Sequence, residues 1–188
     1  MKPKKDTKGE LLIAGIGGWG IVTMGDILAK AALKEYEHVA WFPSYATMMR
    51  GGESECCVTF SHERISSPII YQSSCVMVLG VSRIPAFEGR VRPGGLMLVE
   101  TTGVTEENKV KRDDVNVRYV AAMEKAANLG SIKNANLVML GAYAGAANLI
   151  SKDAILEEIE ARFGGQEKNS TTVSACREAF LAGSELVQ

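Results

Sequence analysis

Apolar positions along the chain fall into two patterns: short unbroken runs, and longer stretches with an apolar residue every three or four positions. "ELLIAGIG" (10–17) is a run of the first kind that ends in glycines, as a strand buried on both faces of a sheet does. From Gly18 the second pattern takes over, with Ile21, Met24, Leu28 and Ala31 with Ala32 at helical spacing as far as Tyr36. A second run, "HVAWFPSY" (38–45), follows. Together these predict a strand, helix, strand unit long enough for a right-handed parallel crossover.

"SECCVTFS" (54–61) suits a pleated surface, and Pro68 restricts "ISSPII" (65–70) to an edge or irregular extended segment, so a hairpin-like excursion is expected here. "SCVMVLG" (74–80) and "GLMLVE" (95–100) read as buried strands, joined by a short helix and a turn in "SRIPAFEGRVRPGG". The charged stretch 104–120 reads as an exposed connection with one short strand at Val115 to Val120. Residues 134–150 predict a helix that is apolar nearly all round, with Gly141, Ala144, Gly145 and Ala147 admitting a close neighbour. It is too short for a membrane span, so it reads as a buried helix or a subunit contact. Ser151 caps a helix over 152–163, which Gly164-Gly165 ends, and a last helix runs from about Thr171 to Leu186.

The fold class this order predicts is α/β: a single-domain, Rossmann-like, three-layer open sheet, mainly parallel, with a hairpin-like edge excursion. Residues 1–9 read as a flexible basic tail and 10–188 as one domain. With 188 residues, 46% of them hydrophobic, the chain can bury one proper core and not two.

Charge narrows the partners. Acidic and basic residues nearly cancel, 22 against 21, and the basic clusters are short, so no nucleic acid or membrane partner is expected. Cys56, Cys57, Cys75 and Cys176 have no metal-binding spacing, so no metal is expected, and the apolar settings of three of the four suit structural thiols in a reducing cytoplasm. "MKPKKDTK" before an apolar run resembles a signal peptide, with Ala29-Lys30-Ala31 as a cleavage site. Gly15, Gly17, Gly18 and Gly20 interrupt that run at the spacing of a strand-to-helix turn, which favours a folded loop instead.

That loop, "IAGIGGWGIV", carries Gly15, Gly17 and Gly20 in a GxGxxG pattern between a strand and a helix. There, glycines permit a tight turn and close approach of a pyrophosphate to free N–H groups at the helix start. A nicotinamide or flavin site also needs an acid at the end of the second strand, and Trp41, Phe42 and Pro43 stand there instead. Glu35 and Glu37 come before that strand, at the wrong end. A packing turn that binds nothing is the alternative reading of the loop, with Trp19 as a core plug or a flat face for a ligand. "PSYATMMRGGESE" (43–55) begins at the carboxyl end of the second strand, where open α/β sheets bind ligands. Arg50 before Gly51-Gly52 offers a planar cation at a bend open to a phosphate or carboxylate, with Ser44 and Tyr45 nearby. Pairing of Arg50 with Glu53 or Glu55 is the plainer alternative.

These stretches, "GIGGWGIVTMGDILAKAA", "WFPSYATMMRGGESECCVTFS", "ISSPII" and "VMVLG", resemble the gamma subunit of 2-oxoacid:ferredoxin oxidoreductases, the 2-oxoglutarate type most of all, from about residue 10 to 185. The pyruvate and ketoisovalerate enzymes belong to the same family. The resemblance implies the fold of domain III of pyruvate-ferredoxin oxidoreductase. It also implies a subunit of a thiamine diphosphate enzyme that turns a 2-oxoacid and coenzyme A into acyl-CoA and CO2, passing electrons to ferredoxin. Thiamine diphosphate and iron–sulfur clusters would sit on alpha and beta partners or a ferredoxin-like delta subunit, and coenzyme A near this chain. Coenzyme A carries phosphates but demands no ribose-gripping acid, which suits the loop. Gly15, Gly17, Gly18, Trp19, Gly20, Ser44, Tyr45, Arg50, Gly51 and Gly52 are then the candidate ligand-binding residues, with none acting as catalytic acid, base or nucleophile.

The chain departs from the family pattern at Trp19, where glutamine is usual, at Ala46-Thr47-Met48, where Gly-Pro-Glu is common, and at Glu100, where asparagine often closes the strand. A carboxylate at Glu100 would repel a nearby phosphate, so that strand end either lies away from the ligand or handles substrate differently. Three other readings stand beside the leading one: a structural scaffold with an empty loop, the beta subunit of indolepyruvate oxidoreductase, and a stand-alone NAD(P)-dependent reductase. His38 and His62 lack a nucleophile to serve and suit strand-end hydrogen bonds. The small-residue helix also fits a homodimer of the isolated chain.

Overall fold

The structure is a computed structural model that describes residues 8–45, 52–164 and 170–186. Its centre is β1 (Gly9–Ile16), the apolar run that leads into the glycines. One six-stranded sheet contains, in order, β2 (His38–Tyr45), β3 (Glu53–Ser61), β1, β4 (Ser73–Leu79), β5 (Val91–Glu100) and β6 (Asn116–Val120). β1, β4, β5 and β6 are parallel, whereas β3 is antiparallel to both neighbours.

The sheet is mainly parallel, as expected, but its antiparallel part falls elsewhere than the sequence suggests. The helix α1 (Ile21–Ala32) leads from β1 to β2, yet β3 lies between those strands. The hairpin is therefore β2 with β3, while 65–70 forms no strand, as Pro68 dictates. Cys56, Cys57, Val58 and Phe60 are almost completely buried, which suits a strand hydrogen-bonded on both edges.

One face of the sheet carries most of the core. Leu11, Ile13, Cys56, Val58, Met77 and Leu98 meet α1, α3 (Ala122–Asn128), α4 (Ala135–Ala147), α5 (Lys152–Phe163) and α6 (Ser170–Glu185). The other layer is thin: Leu12, Ala14, Val76, Val78 and Val99 pack under α2 (Ile84–Phe87), its flanking 3-10 turns and loops. The sequence pattern does not show α3, because only Ala122 and Ala126 of its seven residues are buried, too few for a periodic signal beside the charged stretch.

α4 is buried because α6 of the same chain crosses it at backbone distance. A Cβ on Gly141 would sit 1.9 Å from the Phe180 carbonyl oxygen, and one on Gly183 would sit 1.9 Å from that of Val138. The close neighbour that its small residues admit is thus internal. Ser151 caps α5 as expected, its Oγ accepting from the Ala154 N–H at 3.2 Å. All four cysteines are free and buried, and burial pushes the Cys56 thiol up to about 12 and Cys75 higher still. Among the described residues, no helix is long and apolar enough to cross a membrane.

Candidate functional site

β1, β4 and β5 all end at one side of the sheet, and there β1 turns into the glycine loop. The Gly17 N–H donates to the Gly52 carbonyl at 2.8 Å, so the two sequence motifs meet through their backbones. The Trp19 N–H donates to the Ile16 carbonyl at 3.2 Å and closes the turn. Gly20, at φ 74°, caps α1 with no side-chain acceptor, and the helix has no acid in its first turn. The partial positive charge at that helix end is therefore not offset by its own side chains.

The loop's glycines differ in what surrounds them. A Cβ at Gly15 would meet Ile21 Cδ1 at 2.5 Å and the Leu79 carbonyl oxygen at 2.8 Å, so this glycine lets helix and strand close up. A Cβ at Gly20 would meet Asn136 Nδ2 at 2.3 Å. Asn136 is a buried α4 residue whose Oδ1 accepts from the Leu137 N–H, and it buttresses the loop from behind. Gly18, at φ 99°, is exposed, and among the described residues nothing lies within 4 Å of where a Cβ would be. Trp19 is half-buried and packs against the first-face core, its Cζ3 lying 3.9 Å from the Cβ position of Gly80 at the end of β4. It serves as a plug over that strand end.

The strand register locates the second motif. Ser44 is aligned with Glu55 and, across β3, with Ala14, and Tyr45 is aligned with Ser54 and then Gly15. Ser44 is exposed at the same end of the sheet as the glycine loop, two strands away, or roughly 10 Å. Arg50, Gly51 and the Ala46-Thr47-Met48 departure lie outside the described residues. The structure thus joins the loop of Gly15, Gly17, Gly18, Trp19 and Gly20 to Gly52 through the Gly17 N–H, with Ser44 and the Tyr45 backbone further along the rim.

Sequence reading did not find two arginines that pair with β3 across β1. Arg83 pairs with Glu53, and Arg90 pairs with Glu55 at 3.0 Å. Both guanidinium carbons lie 5.1 Å from the centre of the buried Phe87 ring, close enough for cation–π attraction. Among the described residues, then, the two carboxylates that could have partnered Arg50 engage other arginines. No local spacing could have shown this, because each pair reaches across β1 from the β4–β5 connection to β3.

Glu100 does not face a ligand. It is fully buried, and its carboxylate accepts from the Thr102 N–H at 2.8 Å, the Thr102 hydroxyl at 3.1 Å and the Met123 N–H at 3.2 Å. Its charge is thus turned inward to the start of α3. His38 and His62 lie at the opposite end of the sheet, His62 stacked on Tyr36 at 4.9 Å. Also at that end is a groove of about 820 Å³ lined by Arg92, Asn116, Ala146 and neighbours, remote from the glycine loop. Among the described residues, no cluster of three or more His, Cys, Asp or Glu could hold a metal ion.

An open α/β sheet whose central strand ends in a glycine loop that leads into a helix defines a Rossmann-like domain. The chain belongs to the pyruvate ferredoxin/flavodoxin oxidoreductase family, whose profile matches residues 10–186. It is 34% identical to the ketoisovalerate oxidoreductase subunit VorA of Methanothermobacter thermautotrophicus over 83% of its own length and only 32% of that protein's. It is 31% identical to the pyruvate/ketoisovalerate oxidoreductases common subunit gamma of Thermococcus kodakarensis, covering 91% of this chain and 95% of that one. Among solved structures, the keto/oxoacid ferredoxin oxidoreductase gamma subunit of Geobacter sulfurreducens superposes with TM-score 0.79 at 25% identity, covering 95% of this chain and 98% of that one. The 2-oxoglutarate:ferredoxin oxidoreductase of Magnetococcus marinus, solved with 2-oxoglutarate, coenzyme A and succinyl-CoA bound, shares the fold at TM-score 0.86 and 22% identity, over 98% of this chain and 31% of that one. The chain therefore spans about a third of some relatives and nearly the whole of others.

Proposed function

We propose that the chain is the gamma subunit of a thiamine-diphosphate-dependent 2-oxoacid:ferredoxin oxidoreductase, and that its glycine loop with the segment through Arg50 and Gly52 binds the phosphates of coenzyme A. The observation that carries this reading is the Gly17–Gly52 hydrogen bond, which makes one wall of two motifs far apart in sequence. An exposed Gly18 beside a helix start without its own acid supports an anion there. The coenzyme A in the Magnetococcus structure suits the same ligand class. Thiamine diphosphate, electron transfer through iron–sulfur clusters and the chemical step belong on alpha, beta or delta partners. Ferredoxin is the acceptor.

In this role the chain's own residues bind and orient. Backbone N–H groups at Gly18 and the first turn of α1 take the phosphate charge, Arg50 adds a bidentate cation, and the buried Asn136 keeps the loop from folding back. Calorimetry with coenzyme A on the complex purified through this chain tests the reading. Arg50→Ala is expected to weaken binding by about tenfold, the scale of one charge-assisted contact. Unchanged affinity would leave the scaffold reading, in which the loop only packs.

A further inference from the structure

We infer that Arg83 is a second anion contact of the glycine-loop site, held by Glu53 in the absence of ligand and handed over to a ligand phosphate. The inference rests on the coenzyme A reading above and deepens it. Arg83 follows β4, whereas Glu53 opens β3, and β1 lies between those two strands. Glu53 is aligned with Ile16, the last residue of β1, and follows Gly52, which the Gly17 N–H contacts. The ion pair therefore spans the end of β1 where the glycine loop begins. A phosphate drawn to that loop meets the Glu53 carboxylate and the Arg83 guanidinium together.

The neighbouring pair shows what a purely structural arginine looks like in this fold. Arg90 holds Glu55 and also donates to the carbonyls of Ile70 at 3.0 Å and Tyr71 at 3.1 Å, so its fork is committed on several sides. Arg83 stacks on the same Phe87 ring, but its one charged partner among the described residues is Glu53, and its Nε is buried without an acceptor. The two ends of the Arg83 pair also differ. The arginine side chain is 12% exposed and fixed by the ring, whereas the glutamate is 72% exposed. A largely buried, oriented cation with an exposed and replaceable counterion is arranged for exchange. Phosphate oxygens match the guanidinium fork as well as a carboxylate does, so Glu53 can move into water while the arginine stays in place. Glu53 then sets affinity and selects for ligands with enough negative charge to displace it.

Titration calorimetry with coenzyme A on the purified complex separates exchange from two simpler roles. Glu53→Gln is expected to tighten binding on the order of two- to fivefold, the scale of one exposed ion pair. Adding Arg83→Gln to that variant is expected to weaken binding by about tenfold, because the guanidinium then removed is one that bonds the ligand phosphate. Since the pair is already broken in Glu53→Gln, a clamp that only fixes β3 predicts weaker binding by Glu53→Gln and no further change from Arg83→Gln. Simple repulsion by Glu53 predicts tightening by Glu53→Gln and again no change from Arg83→Gln. Either pattern overturns the inference, and Glu55→Gln, at the committed pair, is expected to leave affinity as it was. If Arg50→Ala weakens binding while Arg83→Gln is silent in the Glu53→Gln background, the inference alone fails. If Arg50→Ala is silent as well, the coenzyme A site fails with it.

Discussion

Glycine is concentrated in two regions of this protein for opposite reasons. Where α4 crosses α6, Gly141 and Gly183 have backbone carbonyls at 1.9 Å from where a Cβ would lie, so the space is occupied by the chain itself. At the glycine loop, Gly18 is exposed, has no described residue within 4 Å of its Cβ position and adopts a left-handed φ of 99°. The first region lacks side chains so that the protein can touch itself, whereas Gly18, unlike Gly15 and Gly20 of the same loop, lacks one with no described residue filling the gap. Both look alike in sequence as small-residue stretches. What distinguishes them is what the missing methyl would strike.

The largest expected effect is at the packed region. Gly183→Val, in urea melts, is expected to lose more than about 3 kcal/mol of stability, because a backbone oxygen cannot move aside as a side chain can. Near-native stability would mean that the crossing is looser than described. The same packed side holds thiols that sharpen the contrast. Burial raises the Cys56 thiol from 9.0 to about 12 and Cys75 further. The folded state thus keeps protons that the unfolded chain releases, so the stabilisation is intact below pH 9 and lost as pH rises towards the folded values. Each such thiol is expected to lower the folding equilibrium by up to about tenfold per pH unit above its unfolded value. Melts at pH 8 and pH 10 check this, and equal stability would contradict it.

At the loop the effects are smaller and shift from stability to binding. Gly20→Ala is expected to cost about 1–3 kcal/mol, through its left-handed backbone and the contact with Asn136. Gly18→Ala has only backbone strain to overcome, about 1–2 kcal/mol, yet should weaken coenzyme A binding to the complex by more than Gly20→Ala does relative to its stability loss. Should Gly18→Ala destabilise the fold as much as Gly183→Val and leave binding intact, the two glycine regions would be of one kind.

Much of the fold was legible because burial forces a pattern on the residues. β1, β4 and β5 are continuous apolar runs since helices or loops cover both their faces, and Ser151 announces α5 through the cap it forms. The position of β3 was not legible. Its apolar run fits equally beside β2 or out in a hairpin with 65–70, and only pairing with β1 decides between them. The loop glycines were legible as a motif, and the structure adds Gly52 as the residue that joins them. Asn136, Arg83 and Arg90 were hidden because each acts across the sheet or from another helix, at no fixed spacing from the residues it holds. Glu100 reads in sequence as a threat to phosphate binding, whereas its three donors turn it inward.

The central claim is that coenzyme A phosphates rest on the glycine loop and the adjoining 44–52 segment while the α4–α6 crossing takes no part. Hydrogen–deuterium exchange on the purified complex, with and without saturating coenzyme A, tests it most directly. The account predicts slowed exchange at Gly17 to Thr23 and through 44–52, with no change across Gly141 and Gly183. Saturation with coenzyme A that leaves 17–23 exchanging at its free rate would contradict it.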